Sequence, residues 1–486
     1  MQTAVILISS RDPGYLRIWE HIARRELVGG RQVVMLDATG IAAAPVDSYH
    51  RGVLRLGRLP YPGHDRRERF EALGASVRRI EEFLEPGDDR PLDDDAEAEL
   101  AIAVGSVMAS YFRNDLPDPR RRRVRRMQAA VRDEGRRVFA GVSRAVPLLA
   151  PGGVVFVPNG RAPSQRMAAL ATRRVGAGLL HIEKGESPDA AFLRPYSPHD
   201  RLASQESIAE VLAGLSRAQI RSIAEDWMRR RDPGADSRNQ FASLWDSASV
   251  TPFPRDATVV GFFTSSQDEF QSLGPDWEHQ EWTSQLEAFD AAITHLEANG
   301  MSCYLRVHPN LATKSHAYFR RERSQLRALA AKHPTLRVIW HDDPVNSYAL
   351  LEASDGVVVW TSTIGLEASA RGLPVWALAN SRYGMTADIT EVFSAAALAR
   401  APLEPRVINT DGAHDFIAYL VLRDEQLTRE YRSWLPWDEA KPPLPAKIAA
   451  VLASGGAPYA RDAVASVFDN YRHRRLRANL RHLAGR

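Results

Sequence analysis

The chain has 486 residues, 44% of them hydrophobic and 25% charged, with a formal net charge of +3. That length exceeds what one compact core accommodates and asks for two large domains. The near-balanced charge carries no nucleic-acid signature, no apolar run reaches the ~18 residues of a membrane-spanning helix, and the single cysteine, Cys303, excludes an internal disulfide.

The first strand is Thr3–Ser9, a run of Val, Ile and Leu. Asp12-Pro13-Gly14 turns the chain into a helix, Leu16–Leu27, ended by Gly29-Gly30, and Val33–Leu36 is the next strand. An open α/β sheet begins this way. Met1–Ile8 lacks the basic leader of a signal peptide, which with the lone cysteine points to the cytoplasm. Residues 65–147 differ: Arg66–Leu84, Ala96–Phe112 and Val124–Ala145 have helical spacing and read as a helical insertion. The Asp93-Asp94-Asp95 run reads as a solvated helix start, not a metal pair. Strand signal returns at Val154–Val157 and Leu179–Ile182, and helices follow over Ser207–Leu215 and Arg217–Arg230. A polar stretch, Asp232–Asn239, places the domain boundary near residues 245–256.

The second half alternates cleanly. Strands are expected at Thr258–Phe263, Cys303–Val307, Leu336–Trp340, Gly356–Trp360 and Pro374–Leu378, with single helices between them. Asp343 with Pro344 behind it suits a helix start. The expected architecture is α/β: two Rossmann-like doubly wound domains facing across a cleft. They span 1–250 and 251–440, followed by a helical tail over 441–486.

In such sheets ligands bind beyond the carboxyl ends of the strands. Those ends here carry Thr264-Ser265-Ser266, His308-Pro309-Asn310, His341-Asp342-Asp343 and Thr361-Ser362-Thr363. The last trio opens a helix, where hydroxyls and free N–H groups serve either ordinary N-capping, worth ~1 kcal/mol, or phosphate binding. Glu367 lies one turn further, on the side of Thr363, placed for ribose hydroxyls or simply for solvent. His308 follows the strand that carries Arg306, and Pro309 keeps it out of helical geometry. In the first half, Asp12 and Glu183 follow strands and are candidate bases, and Asn159-Gly160-Arg161 is a strand-end loop. Walker, Gly-x-Gly-x-x-Gly, Gly-x-Ser-x-Gly and zinc motifs are absent.

The run Val358-Val359-Trp360-Thr361-Ser362-Thr363-Ile364-Gly365-Leu366-Glu367, continuing through Gly372-Leu373-Pro374-Val375, resembles the nucleotide-binding segment of GT-B glycosyltransferases. It is most similar to capsular and surface polysaccharide biosynthesis proteins of the Kdo-transferase type. In those proteins a His-Pro pair follows a strand, as His308-Pro309 does here, and Tyr383-Gly384-Met385-Thr386 is a loose match to a further element. The resemblance implies metal-independent sugar transfer from a CMP- or UDP-sugar to a growing polysaccharide, with no cofactor beyond that donor. It implies that His308 meets the donor phosphate or nucleotide, Ser362 and Thr363 hold phosphate, and Glu367 holds ribose. Ser265, Ser266, Arg306, Pro309, Asp343 and Thr361 complete the donor-side candidates, and His308, Glu183 and Asp12 the catalytic ones. The alternatives are a sugar-nucleotide epimerase and a non-catalytic assembly subunit. The acceptor partner is a saccharide or glycolipid. Arg120–Arg126 and the basic C-terminal tail are either solvated helix faces or a patch for an anionic membrane surface at the inner face of the membrane.

Overall fold

The computed structural model describes residues 2–9, 13–41, 66–187, 189–231, 258–270, 272–278, 281–401 and 408–427. The chain divides into two compact units, Met1–Pro198 with Asp424–Arg486, and His199–Arg423. The boundary expected near 245–256 and the tail over 441–486 lie outside the described residues.

Unit 1 is built on a seven-stranded sheet. Its strands are β1 (Thr3–Ile8), β2 (Gln32–Asp37), β3 (Ser76–Arg79), β4 (Val154–Pro158), β5 (Gly178–Lys184), β6 (Ala190–Arg194) and β13 (Asp424–Gln426), in the order β13-β6-β5-β4-β1-β2-β3. β1 to β5 run parallel, and β6 is antiparallel to both of its neighbours, β5 and β13. Every residue of β1 is buried, because helices cover both faces of the sheet. Val5 and Leu7 pack against Val138, Val142 and Ala145 of the helix Arg122–Leu149. Ala4, Ile6 and Ile8, pointing the other way, meet Trp19 and Ile22 of the helix Pro13–Val28 and Phe70.

This corrects the reading of residues 65–147 as a helical insertion. The helix Arg122–Leu149 is one of the sheet's own covering layers. The segment read as one helix, Arg66–Leu84, is a short helix (Arg66–Ala72) followed by the edge strand β3. β3 has two exposed and two half-buried residues, and its Ser-Val-Arg-Arg sequence carries the charge that keeps edge strands from pairing further. The helix Asp94–Phe112 forms a second layer, Leu100 and Val104 packing with Met127, Val131 and Met167. Asp93 caps it, accepting from the Ala96 N–H at 3.0 Å, as a helix-start acid should. β13 was not foreseen: unit 1 takes strands from both ends of the described chain.

Unit 2 holds a six-stranded parallel sheet, order β12-β11-β10-β7-β8-β9. The strands are β7 (Val259–Phe263), β8 (Ser302–Arg306), β9 (Arg337–Ile339), β10 (Gly356–Val359), β11 (Val375–Ala377) and β12 (Thr390–Glu391). The first five coincide with the expected strands. Phe262, Leu305 and Val358 pack under the helices Gln285–Ala298 and His316–Lys332, while Phe263, Tyr304 and Val359 face Tyr348, Leu351 and Ala368 of the helices Ser347–Glu352 and Ile364–Ala370. The unit is doubly wound. Ile208, Ile220, Ala224 and Trp227 bury against Phe416 and Ile417 of the helix Asp411–Leu422. That packing assigns the segment after His199 to unit 2.

Candidate functional site

The chain enters the unit 2 sheet at β7, proceeds outward to β8 and β9, then returns to the other side of β7 with β10 and β11. The direction of winding reverses between β7 and β10, and the two following loops must diverge there, leaving a crevice at the carboxyl edge. The loops are Thr264-Ser265-Ser266 and Thr361-Ser362-Thr363. They touch directly: the Thr361 N–H donates to Ser265 Oγ at 3.1 Å. The Ser265 N–H donates to Gln285 Oε1 at 2.7 Å, which fixes the first loop on its helix. Thr264 Oγ1 accepts from the His308 N–H at 2.7 Å, and Ser266 Oγ lies 3.5 Å from Asn310 Nδ2. Ser265, Ser266, Thr361 and His308 are thus brought onto one edge.

His308 is half-buried and opens the short helix Pro309–Thr313, its Nδ1 accepting the Asn310 N–H at 3.1 Å. The neutral ring therefore carries its proton on Nε2, as a donor. Burial pushes the imidazole pKa down to about 4; Glu269 opposes this, and Lys314 and Arg306 add to it. The loop behind is anchored by the buried Lys314–Asp268 ion pair and by Asn310 Nδ2 donating to Glu269 Oε1 at 2.6 Å. Arg306, 2% exposed, donates to the carbonyls of Trp340 (2.5 Å) and Asp343 (3.3 Å), while its Nε has no partner among the described residues. No carboxylate lies within ion-pair distance of it among the described residues, and burial lowers its pKa to about 10 despite Asp343 and Asp342 nearby. A second buried arginine, Arg201, has the same character. It donates to the Ser381 and Asp276 carbonyls, both at 2.7 Å, and its guanidinium stands over the Trp277 ring. Ser381 follows β11, so Arg201 sits by the same sheet edge. The edge holds two buried cations solvated by backbone carbonyls, with no carboxylate in ion-pair contact among the described residues, although Glu391 and Asp276 act on Arg201 from further off.

Among the described residues Thr361 Oγ1, Gln285 Nε2 and Glu367 Oε2 are buried and find no hydrogen-bond partner. Buried polar atoms are rarely left so, and their concentration marks a place where a ligand or a rearrangement can satisfy them.

The helix after β10, Ile364–Ala370, is seven residues long. Thr363 is its N-cap by position, but exposed and without a side-chain capping bond. Ser362 is half-buried, its Oγ 3.4 Å from the Ile364 N. Ordinary capping by Thr363 therefore does not explain the hydroxyl trio. Glu367 is 1% exposed, which corrects its reading as a solvent-facing glutamate; its Oε1 accepts from Arg231 Nε at 3.2 Å. Tyr383 Oη donates to the Ser362 carbonyl at 2.5 Å and crosses over Gly365, where an added Cβ would overlap it. Gly365→Ala is expected to cost about 1–3 kcal/mol in a urea melt, and Tyr383→Phe in the same chain to recover part of it. Equal loss with and without Tyr383→Phe would place the strain elsewhere.

Asp343 does not start a helix. Its carboxylate accepts the Trp340 N–H at 2.7 Å, closing a turn, and Asn346 caps the helix Ser347–Glu352 instead. Its contribution to the edge is the carbonyl that holds Arg306.

In unit 1 the winding reverses between β1 and β4. Asn159 there has φ +46°, and its Nδ2 is hydrogen-bonded to Glu183, whose other oxygen accepts the Lys184 N–H at 2.7 Å. Glu183 is a half-buried, fixed carboxylate. Asp12 lies outside the described residues. Gly160, at φ +84°, lets the loop approach the buried His181, whose pKa burial pushes down to about 4 with help from Arg173 and Arg166.

His181 and His308 set an acid limit on stability. Their folded pKa values lie below the ordinary 6.5, so the unfolded chain binds more protons between pH 6.5 and 4. The stabilisation is full above pH 6.5 and is lost as pH falls toward 4, by up to about 3 kcal/mol for His181 and less for the half-buried His308. A His181→Gln chain should lose measurably less stability than wild type between pH 7 and pH 5. Parallel losses would contradict a buried neutral His181.

Residues 278–405 match the family described as Capsule polysaccharide biosynthesis protein. That span contains His308-Pro309, Arg306 and the whole run Val358–Val375, so the resemblance read from those residues is borne out there. No curated protein matches the chain at a significant level. Among solved structures, two Kdo transferases of Thermosulfurimonas dismutans KpsC are similar. The beta Kdo 2,4 transferase is 15% identical, covering 55% of this chain and 78% of that one, with a TM-score of 0.35. The beta Kdo 2,7 transferase is 14% identical, covering 57% and 79%, at 0.34. The UDP-GlcNAc 2-epimerase of Methanocaldococcus jannaschii, solved with UDP-GlcNAc and UDP, is 11% identical over 86% of this chain and 99% of that one, at 0.32.

Proposed function

We propose that the chain is a glycosyltransferase, of GT-B type and independent of metal, that moves a sugar from a CMP- or UDP-activated donor to a growing surface or capsular polysaccharide. The observation that supports this most is the electrostatics of the unit 2 edge. Among the described residues Arg306 and Arg201 are buried cations with no carboxylate in ion-pair contact, and a neutral His308, with its proton on Nε2, follows Arg306 at the end of β8. Sugar transfer from a nucleotide leaves negative charge on the departing phosphate, and preorganised donors in a low-dielectric site stabilise such charge. Ser265, Ser266 and Thr361–Thr363 supply hydroxyls for the same phosphate, and Glu367 takes the ribose. The nucleotide sugar is the donor substrate, and no separate cofactor is invoked. Glu183, held by Asn159 and the Lys184 N–H, is the base candidate in unit 1.

An assay of radiolabelled sugar nucleotides with and without a saccharide or glycolipid acceptor tests this reading. Transfer that requires acceptor supports it. Conversion of the sugar nucleotide alone selects an epimerase, and neither reaction selects a non-catalytic assembly subunit.

The protein is proposed to work in the cytoplasm against the inner face of a membrane. Among the described residues no helix is long and apolar enough to cross a membrane. Arg120, Arg121, Arg122, Arg125 and Arg126 are exposed where the helices Asp94–Phe112 and Arg122–Leu149 meet, next to Leu116, which is 65% exposed. Asp118 lies 3.6 Å from Arg121 and accepts the Arg120 N–H at 2.9 Å. Each arginine near an anionic surface contributes about 1 kcal/mol. Arg122→Glu with Arg125→Glu should abolish flotation with phosphatidylglycerol-containing vesicles; undiminished flotation would remove this surface from the proposal.

A further inference from the structure

Glu367 poses a problem that the donor-site reading does not solve. Its carboxylate is 1% exposed, and Oε2 is buried without a partner among the described residues. A ribose cannot reach a carboxylate in that state. What covers it comes from another element: Arg231, two residues beyond the helix Arg217–Arg229, donates from Nε to Glu367 Oε1 at 3.2 Å. Arg231 is itself held by stacking, its guanidinium 4.5 Å from the centre of the Trp227 ring one turn earlier. Its side chain is 25% exposed, so it has a route outward that Glu367 lacks. The backbone of Glu367 is fixed, since its N–H donates to the Thr363 carbonyl at 3.1 Å and its own carbonyl accepts from Arg371 at 3.3 Å. Of the two, Arg231 is the one whose side chain reaches solvent.

We propose that Arg231 competes with the nucleoside for Glu367. In the ligand-free chain the guanidinium neutralises the buried carboxylate through one oxygen. When a nucleotide enters, Arg231 swings off Glu367, and the two ribose hydroxyls donate to the oxygens it leaves, including the Oε2 that has no partner before. Arg231 thereby sets both affinity and selectivity. A 2′,3′-diol can replace the ion pair with two charge-assisted hydrogen bonds. A ligand with a single hydroxyl leaves one buried oxygen unpaired and binds less well. The apparent affinity of the wild type is reduced by the fraction of chains in which Arg231 is in place. This inference rests on the reading of Glu367 as the ribose-binding residue.

The test compares wild type, Arg231→Ala, Arg231→Lys and Glu367→Gln by titration calorimetry with whichever of CMP and UDP binds the wild type, and with its 2′-deoxy analogue. Arg231→Ala is expected to melt at a lower temperature without ligand, because it leaves Glu367 unpaired, yet to bind the ribonucleotide about tenfold more tightly. Arg231→Lys, which keeps a charge, guards against a chain that fails to fold and should lie between the two. The gain should shrink for the 2′-deoxy analogue. Equal or weaker ribonucleotide binding by both Arg231 variants overturns the inference. If Glu367→Gln loses binding in that same case, the donor-site reading stands and only the role of Arg231 falls. If wild type binds neither nucleotide, both fall.

Discussion

A Glu367→Ala chain is expected to bind nucleotide roughly 100-fold more weakly than wild type while keeping its fold. The size follows from the chemistry. A hydrogen bond to a charged group contributes ~1.5–3 kcal/mol, and a carboxylate that accepts two ribose hydroxyls loses both when truncated. About 2.7 kcal/mol is a factor of 100 in affinity. The fold should survive because the Arg231 side chain is a quarter exposed and stays stacked on Trp227 without Glu367. The loss should be confined to ligands that carry ribose. Pyrophosphate, which would meet only the hydroxyls and cations of the edge, should bind both chains alike. Equal weakening of pyrophosphate and nucleotide would mean that Glu367 supports the edge as a whole and does not touch ribose.

His308→Ala is expected to lower the transfer rate by ~10²–10³, the usual effect of removing one preorganised donor aimed at developing charge. The pH profile separates this role from others. With its pKa pushed down to about 4, His308 is neutral across the working range, and Nε2–H donates without a change of charge. The rate should therefore show no acid limb near pH 6.5 that disappears in the variant. An acid limb near pH 6.5, present in wild type and absent from His308→Ala, would identify His308 as a general base and contradict the donor role. His308→Gln, which keeps an N–H donor, should recover part of the rate.

Much of unit 2 was legible because its signals are local. Short apolar runs such as Val357-Val358-Val359, bounded by Gly356 and a hydroxyl trio, read as buried parallel strands and are so. Their polar ends then follow from topology, which is why Ser265, Thr361 and His308 were found without knowing their distances. The β3 strand was missed because an edge strand needs no apolar alternation, and Arg78 and Arg79 look like part of a charged helix. Asp343 was misplaced because Asp-Pro is a common helix start, while the actual cap, Asn346, lies three residues on. Arg201 and Arg231 carried no signal at all. An arginine in a helical stretch is normally solvated, and nothing local tells that Arg201 is stacked over Trp277 or that Arg231 reaches Glu367. The same holds for Gln285, whose side chain supports the Ser265 loop from a helix twenty residues away. Long-range pairing of polar side chains is set by tertiary packing, and periodicity does not encode it.

The most direct test is the melting temperature of the whole chain with CMP, CDP, UDP and GDP. A ligand that binds only the folded state at 100 times its dissociation constant stabilises it by about 2.7 kcal/mol, a shift of several degrees. The account predicts that at least one pyrimidine nucleotide raises the melting temperature of wild type and that the rise vanishes in Glu367→Ala. No shift with any nucleotide, or a shift of equal size in both chains, would contradict a nucleotide site between the β7 and β10 loops.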